Sequence, residues 1–147
     1  MKRVSVIPVF NPTGERVLVC LRTKDPYKGK MNFVGGKTEP GEGSEAGAYR
    51  ELFEETGITR DDISLTHVMD FTYYVTYSGE PLVLEVYSGT LLHDVTLREE
   101  VHPLLWVSVD EDFADNDRFA GDGNMQHMIC VIRGTWVMPE RATERAI

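Results

Sequence analysis

The order of the predicted elements favours an α+β fold in which helices pack on both sides of a mixed β-sheet, as an α/β/α sandwich. Three observations lead to this prediction. β-rich segments open the chain, one strongly patterned helix interrupts them, and further strands precede a closing helix. Elements in this order bury their apolar faces by packing helices on a sheet. The chain of 147 residues is long enough for one such domain, which we assign to residues 1–147.

The first half of the chain contains three predicted strands. Residues 4–10 and 16–22 are β-rich and flank a turn at residues 11–14 (NPTG), so they predict a hairpin. A polar loop follows, and residues 32–34 form a short extended segment before Gly35 and Gly36.

Residues 44–56 carry the clearest helical pattern in the chain. Ser44 is placed to act as the N-cap, and Glu45 lies in the first turn, where the helix dipole favours a negative charge. Apolar residues recur at helical spacing at Ala48, Tyr49, Leu52 and Phe53. Gly57 is a suitable left-handed stop.

The second half predicts strands at residues 63–76, 82–92 and 104–109, the first two joined by a turn at residues 77–81. A closing helix is predicted at residues 125–133, with Gly134 at its end. Both cysteines lie in apolar segments, and their spacing fits neither a zinc site nor a redox motif.

Composition narrows the classes of function. The formal net charge of −9 disfavours a nucleic-acid polymer as a partner but leaves room for a small phosphorylated ligand held by a cation. No apolar run is long enough to span a membrane, and Pro8 interrupts the only candidate for a signal peptide. We therefore expect a cytoplasmic protein, monomeric or homodimeric, that binds a small molecule.

The predicted helix carries a cluster of carboxylates. Glu51, Glu54 and Glu55 stand at i, i+3 and i+4, which places them on one face. A solvated acidic face would explain this spacing when it is considered alone. Glu42 adds a carboxylate before the helix, and Arg50 lies four residues before Glu54. The preceding loop is glycine-rich, at Gly35, Gly36, Gly41 and Gly43. Mg²⁺ prefers such hard oxygen ligands.

These residues match a known pattern at every specified position. The segment Gly36-x5-Glu42-x7-Arg50-Glu51-Leu52-x-Glu54-Glu55-x-Gly57-Ile58 resembles the Nudix box, G-x5-E-x7-R-E-U-x-E-E-x-G-U, over 23 of the 147 residues. The resemblance implies the Nudix fold and hydrolysis of a diphosphate bond with Mg²⁺, or Mn²⁺ in its place.

The resemblance also implies individual roles. The implied metal ligands are the Gly36 carbonyl, Glu51, Glu54 and Glu55. Glu51 and Glu54 would act in catalysis with Arg50, which orients a glutamate, while Glu42 would brace the loop against the helix. Family members often add an acidic residue from a later loop. Glu100 is our candidate for both metal binding and catalysis, and a solvated loop position is an equally good interpretation.

The substrate prediction depends on segments outside the box. Residues 32–37 (NFVGGK) resemble those of MutT-type enzymes, which convert a nucleoside triphosphate, in some cases an oxidised purine such as 8-oxo-dGTP, to the monophosphate and pyrophosphate. Candidate substrate-binding residues are Arg22, Asn32, Phe33, Lys37, Asp122 and Asn124. Ordinary roles also fit them: surface charge for the cations, a strand-edge bond for Asn32, core packing for Phe33, and a turn or cap for the last two.

Other functions stay open at this stage. Tyr74 keeps diadenosine polyphosphate hydrolysis open. ADP-ribose or nucleotide-sugar hydrolases usually carry extra N-terminal strands and a proline after the box, and this chain has residues 72–74 (TYY) in that region. A nucleotide-sensing module without activity would lack box glutamates, whereas this box is intact.

Overall fold

The structure, a computed structural model, describes residues 1–74, 76 and 79–134. In this part of the chain the strands are β1 (Lys2–Ile7), β2 (Val9–Phe10), β3 (Arg16–Leu21), β4 (Met31–Lys37), β5 (Thr66–Tyr73), β6 (Leu82–Thr90) and β7 (Leu104–Ser108). The helices are α1 (Ser44–Thr56) and α2 (Asn124–Arg133). The predicted turn at 77–81 and the end of the predicted strand at 63–76 lie partly outside the described residues.

The sheet is mixed, as the element order predicts. Its strand order is β1-β4-β3-β2-β6-β5, with β7 on β3 and an additional pairing of β1 with β6. Strand β6 runs parallel to both β1 and β2, and the other strand pairs are antiparallel. The predicted hairpin of residues 4–10 with 16–22 is wrong for most of its length. Proline at position 8 has no N–H to donate, so the segment divides there, and only β2 pairs with β3.

The apolar side chains of the sheet form two cores, one on each face. Along β3, Leu18 and Cys20 enter one core while Val17 and Val19 enter the other. This alternation is the two-residue period of a strand buried on both faces. Helix α1 covers the first core and α2 covers the second. The result is a sheet between two helices, as predicted.

Helix α1 has the predicted bounds, 44–56, and Gly57 ends it in the left-handed conformation with φ 84°. Two details of its prediction are wrong. The N-cap is Gly43, and the Ser44 hydroxyl instead bonds Arg3 and Glu85. Phe53 lies outside the core at 45% exposure, and the Arg98 guanidinium covers its ring, with the guanidinium carbon 4.7 Å from the ring centroid.

The closing helix α2 also follows the prediction, and Gly134 ends it with φ 68°. Its buried residues Met125, Met128 and Ile129 pack on the second core. No helix among the described residues has the length and apolar character needed to cross a membrane.

Candidate active site

The carboxylate helix is packed closely against the end of β4. A Cβ atom added to Gly36 would lie 2.2 Å from Glu51 Oε2, and one added to Gly35 would lie 2.1 Å from the Ser5 carbonyl oxygen. Only glycine permits approaches this close. The Ser5 hydroxyl also donates to the Gly36 carbonyl at 3.2 Å. The backbone of Gly36 is therefore held beside the Glu51 carboxylate.

Arg50 connects the glycine-rich loop to the helix. Its guanidinium donates to both oxygens of Glu42, at 2.7 and 2.9 Å, and to the Lys37 carbonyl at 2.9 Å. It also donates to Glu51 at 3.1 Å and to Glu54 at 3.0 Å. The bonds from Arg50 lower the pKa of Glu42 to about 2. Five charge-assisted bonds to one guanidinium fix the loop and two carboxylates relative to each other.

Glu55 is the buried member of the cluster. Burial raises its pKa to about 7, and the negative charge of Glu51 adds to the shift. Its Oε2 atom is buried without a hydrogen-bond partner in the protein. The His102 ring lies near it, with Nε2 3.7 Å from Oε2, but burial lowers the pKa of His102 and so favours its neutral form. A buried carboxylate oxygen without a donor favours a bound cation or a proton at this position.

The three carboxylates stand in different environments. Glu51 is partly buried and burial raises its pKa, whereas Glu54 is 53% exposed. Within the described part of the chain these carboxylates are not arranged as a group of metal ligands. Arg50 forms ion pairs with two of them, Glu51 and Glu54.

A cavity of about 700 Å³ extends from Gly36 along the sheet. Gly35, Gly36 and Ser5 line the end next to the carboxylate helix, and Asp122 and Asn124 line the other end. Its volume lies in the usual range for small-molecule sites. A small molecule bound there would have one end at Gly36, beside the carboxylate helix, and the other at Asp122 and Asn124.

Residues from distant parts of the chain form the end of the cavity opposite Gly36. Asp122 Oδ2 accepts a hydrogen bond from the Tyr27 hydroxyl at 3.0 Å, and Asn124 Nδ2 donates to the Tyr73 hydroxyl. Asn32 also lines the cavity, and its Oδ1 accepts from the Phe33 amide at 2.8 Å. Polar side chains of this kind can read the edge of a heterocycle.

Of the other predicted substrate-binding residues, Arg22 and Phe33 line the cavity and Lys37 does not. Arg22 lines the cavity, and its Nε donates to the Pro26 carbonyl at 2.7 Å. Lys37 is exposed and is not part of the cavity lining. The Phe33 ring is 3% exposed and packs 6.0 Å from the Phe113 ring, so it forms the floor of the cavity within the core. Phe119, whose ring contacts that of Phe113, is buried in the second core.

The loop before β7 brings His102 to the carboxylate cluster. Glu100 is 75% exposed and lies 3.7 Å from Arg98, and the structure shows no contact between it and the cluster among the described residues. The Glu99 carboxylate accepts from the Leu104 amide at 2.8 Å. The role of Glu100 therefore stays a prediction.

The sequence did not predict the contacts that fix the start of the carboxylate helix α1. Arg3 donates to the Glu42 carbonyl at 3.0 Å and to the Ser44 hydroxyl, which in turn donates to Glu85 at 2.7 Å. These contacts join β1 and β6 to the start of α1. Arg3 directly precedes one predicted strand and Glu85 lies in another, but neither position identifies the partner of the side chain.

Comparison with known proteins gives a family. The family model of the NUDIX domain matches residues 1–126. Among curated proteins, the oxidized purine nucleoside triphosphate hydrolase of Mus musculus is 34% identical over 113 residues, which are 76% of this chain and 69% of the relative. The 8-oxo-dGTP diphosphatase of Escherichia coli (strain K12) is 31% identical over 75 residues, 50% of this chain and 58% of the relative.

Solved structures agree on the fold. A C. elegans Ap4A hydrolase in a binary complex superposes with a TM-score of 0.74 at 16% identity, covering 91% of this chain and 96% of that one. A MutT NUDIX hydrolase from Burkholderia pseudomallei superposes with a TM-score of 0.63 at 24% identity, covering 75% and 84%.

Proposed function

This chain belongs to the NUDIX domain family and is a pyrophosphohydrolase that acts on a nucleotide, and we propose that its substrate is a nucleoside triphosphate, cleaved with Mg²⁺ to the monophosphate and pyrophosphate. One observation carries the proposal. The cavity of about 700 Å³ is lined at one end by Gly36, which lies beside Glu51 of the carboxylate helix, and at the other by the hydrogen-bonding side chains of Asp122 and Asn124. A triphosphate and a base would occupy these two ends.

The residues present fit a divalent cation. Glu55 Oε2 is buried without a partner, and burial raises the pKa of both Glu51 and Glu55, so a bound cation would stabilise their charged forms. We assign Glu51, Glu54, Glu55 and the Gly36 carbonyl as ligands, all of them hard oxygen donors. Glu100 is our proposal for a further ligand, which the loop before β7 would have to bring inward. Mn²⁺ would suit the same donors.

The chemistry divides between the cation and the chain. When bound, Mg²⁺ neutralises phosphate charge and lowers the pKa of the attacking water. Glu51 or Glu54 takes the proton of that water, while Arg50 holds the two carboxylates in place. Arg22, at the side of the cavity, attracts the triphosphate. Positioning and charge stabilisation then supply most of the rate enhancement.

The relatives support a purine substrate. One is named for oxidized purine nucleoside triphosphates and another for 8-oxo-dGTP. In this chain Asn32, Asp122 and Asn124 would contact the base, since they line the cavity end away from the carboxylates. We therefore place an oxidised purine such as 8-oxo-dGTP first among the substrates.

A substrate panel tests this assignment. We expect the highest kcat/KM on a purine nucleoside triphosphate, with the monophosphate and pyrophosphate as products, when normal and oxidised dNTPs, dinucleoside polyphosphates and ADP-ribose are compared. The highest kcat/KM on ADP-ribose or on a dinucleotide would refute the substrate class. Chelation by EDTA should abolish turnover, and Mg²⁺ should restore it.

Glu54→Gln tests the carboxylate assignment. The amide cannot serve as an anionic ligand or a base, so Mg²⁺-dependent pyrophosphate release should be abolished while the thermal midpoint is retained, because Glu54 is exposed. Glu45→Gln, at an exposed position in the first turn of the same helix, is the matched control. Turnover at the wild-type rate in Glu54→Gln would exclude the assignment.

A further inference from the structure

Two residues of the described chain share an unusual backbone conformation. Among the described residues, Tyr27 with φ 66° and Asp122 with φ 49° are the non-glycine residues with positive φ. This region is rarely occupied by side-chain-bearing residues and is disfavoured most for bulky ones. Such outliers persist only where surrounding contacts hold them, and they concentrate at functional sites.

The two outliers bond each other at the cavity. The Tyr27 hydroxyl donates to Asp122 Oδ2 at 3.0 Å, across 95 positions of sequence, and both residues line the cavity. The segments that carry them are also tied together at their bases. The Met31 amide donates to the Arg118 carbonyl at 2.8 Å, and the Ala120 amide donates to the Met31 carbonyl at 2.9 Å. The contact is therefore part of a closed rim.

The loop that carries Tyr27 has its own support. Arg22 Nε donates to the Pro26 carbonyl at 2.7 Å, the Gly29 amide donates to the Arg22 carbonyl, and the Lys30 amide donates to the Tyr27 carbonyl. Asp122 stands between Gly121 and Gly123, which both have positive φ. These local bonds hold the tyrosine hydroxyl over the turn that precedes α2.

The Tyr27 bond determines what Asp122 can offer a ligand. A carboxylate only accepts hydrogen bonds, and with Oδ2 bonded to Tyr27 the Oδ1 atom stays available as an acceptor. Guanine and its 8-oxo form present a ring N–H beside an amino group. Adenine presents its amino group beside a ring nitrogen that is itself an acceptor. A fixed acceptor therefore favours guanine-type edges, because two facing acceptors leave polar groups unpaired.

We propose that Tyr27 is a positioning residue for base selection, which holds the Asp122 carboxylate as a fixed acceptor and so favours purines with a ring N–H over adenine. The inference rests on the proposed nucleotide substrate. It assigns selectivity to a hydroxyl on the loop after β3, and that hydroxyl takes no part in the chemistry at the carboxylate helix.

Tyr27→Phe removes the hydroxyl and keeps the ring. The test compares Kd for dGMP and dAMP by titration calorimetry, and kcat/KM for dGTP and dATP, between the variant and the wild type. The wild type should prefer the guanine nucleotide in both assays, and Tyr27→Phe should reduce this preference about fivefold, the size of one lost hydrogen bond. The change should appear in KM and Kd, with kcat within about twofold. Thr23→Val removes an exposed hydroxyl from the same loop, outside the cavity lining, and should keep the wild-type preference.

A second variant shows whether Tyr27 acts through Asp122. Glycine adopts positive φ readily and has no acceptor for the Tyr27 hydroxyl, so Asp122→Gly should fold and remove the contact. Tyr27→Phe should then have little further effect on preference in the Asp122→Gly background. The proposal is overturned if Tyr27→Phe keeps the wild-type preference, if its effect persists in Asp122→Gly, or if the wild type binds dAMP as well as dGMP or binds neither. Product binding needs no turnover. A wild type that binds dGMP selectively but releases no pyrophosphate would therefore refute the proposed reaction alone.

Discussion

Replacing Gly36 with alanine tests the geometry of the carboxylate helix with one methyl group. The added Cβ would lie 2.2 Å from Glu51 Oε2 and 2.4 Å from its Cδ. Ordinary contact distances require a displacement of about 1 Å. Glu51 cannot move without a change in its 3.1 Å bond to Arg50. The substitution therefore moves either the carboxylate or the strand that carries the Gly36 carbonyl.

The expected cost follows from that displacement. Mg²⁺ demands near-ideal octahedral geometry, and two of the proposed ligands would be pushed apart. A misplacement of about 1 Å can lower catalysis about 100-fold. We expect Gly36→Ala to reduce kcat/KM by about that factor, which corresponds to about 2.7 kcal/mol of transition-state stabilisation. The backbone at Gly36 is not in the positive-φ region, so it accommodates alanine.

The assay is steady-state pyrophosphate release at several Mg²⁺ concentrations, with thermal unfolding of each variant in parallel. Gly43→Ala is the matched control, because Gly43 has φ −71° and no atom would lie within 4 Å of its added Cβ. The control should keep wild-type turnover. The reasoning is refuted if Gly36→Ala retains wild-type kcat/KM and Mg²⁺ dependence. Equal losses in the two variants would also refute it, since they would indicate an effect common to the loop.

Two further predictions concern the thiols and the acid limit of stability. Burial raises the pKa of Cys20 to about 11, so a thiol reagent at pH 8 should modify the half-buried Cys130 first and Cys20 only after unfolding; equal rates in the folded protein would contradict this. The bonds from Arg50 lower the pKa of Glu42 to about 2, below the usual 4.5. The stability that this carboxylate contributes is then present above pH 4.5 and is lost as the pH falls towards 2. Urea unfolding between pH 2.5 and 5 should show a shallower decline for Glu42→Gln than for the wild type or for Glu39→Gln, an exposed control in the same loop.

The local part of the fold could be predicted from sequence. Helix α1 begins and ends where its apolar spacing and Gly57 place it, because both signals act over a few residues. Its cap could not be predicted in the same way. Ser44 has the right side chain for an N-cap, yet it bonds Arg3 and Glu85, which lie on two strands of the sheet. Tertiary contacts with Arg3 and Glu85 therefore determine the role of the Ser44 hydroxyl, which a local pattern cannot predict.

The same distinction separates the two ends of the cavity. At the carboxylate end, Gly36, Glu42, Arg50 and the three glutamates lie within 23 consecutive residues, so fixed spacing on a loop and a helix brings them together. At the other end, each contact joins distant segments, as Tyr27 with Asp122 and Tyr73 with Asn124 show. A single sequence carries no signal for such pairs. Closeness in sequence is also not sufficient, since Lys37 follows the glycines directly but lies outside the cavity lining. The type of bond that is cleaved can therefore be predicted from a local motif. The choice of base depends on loops that lie together only in the folded chain.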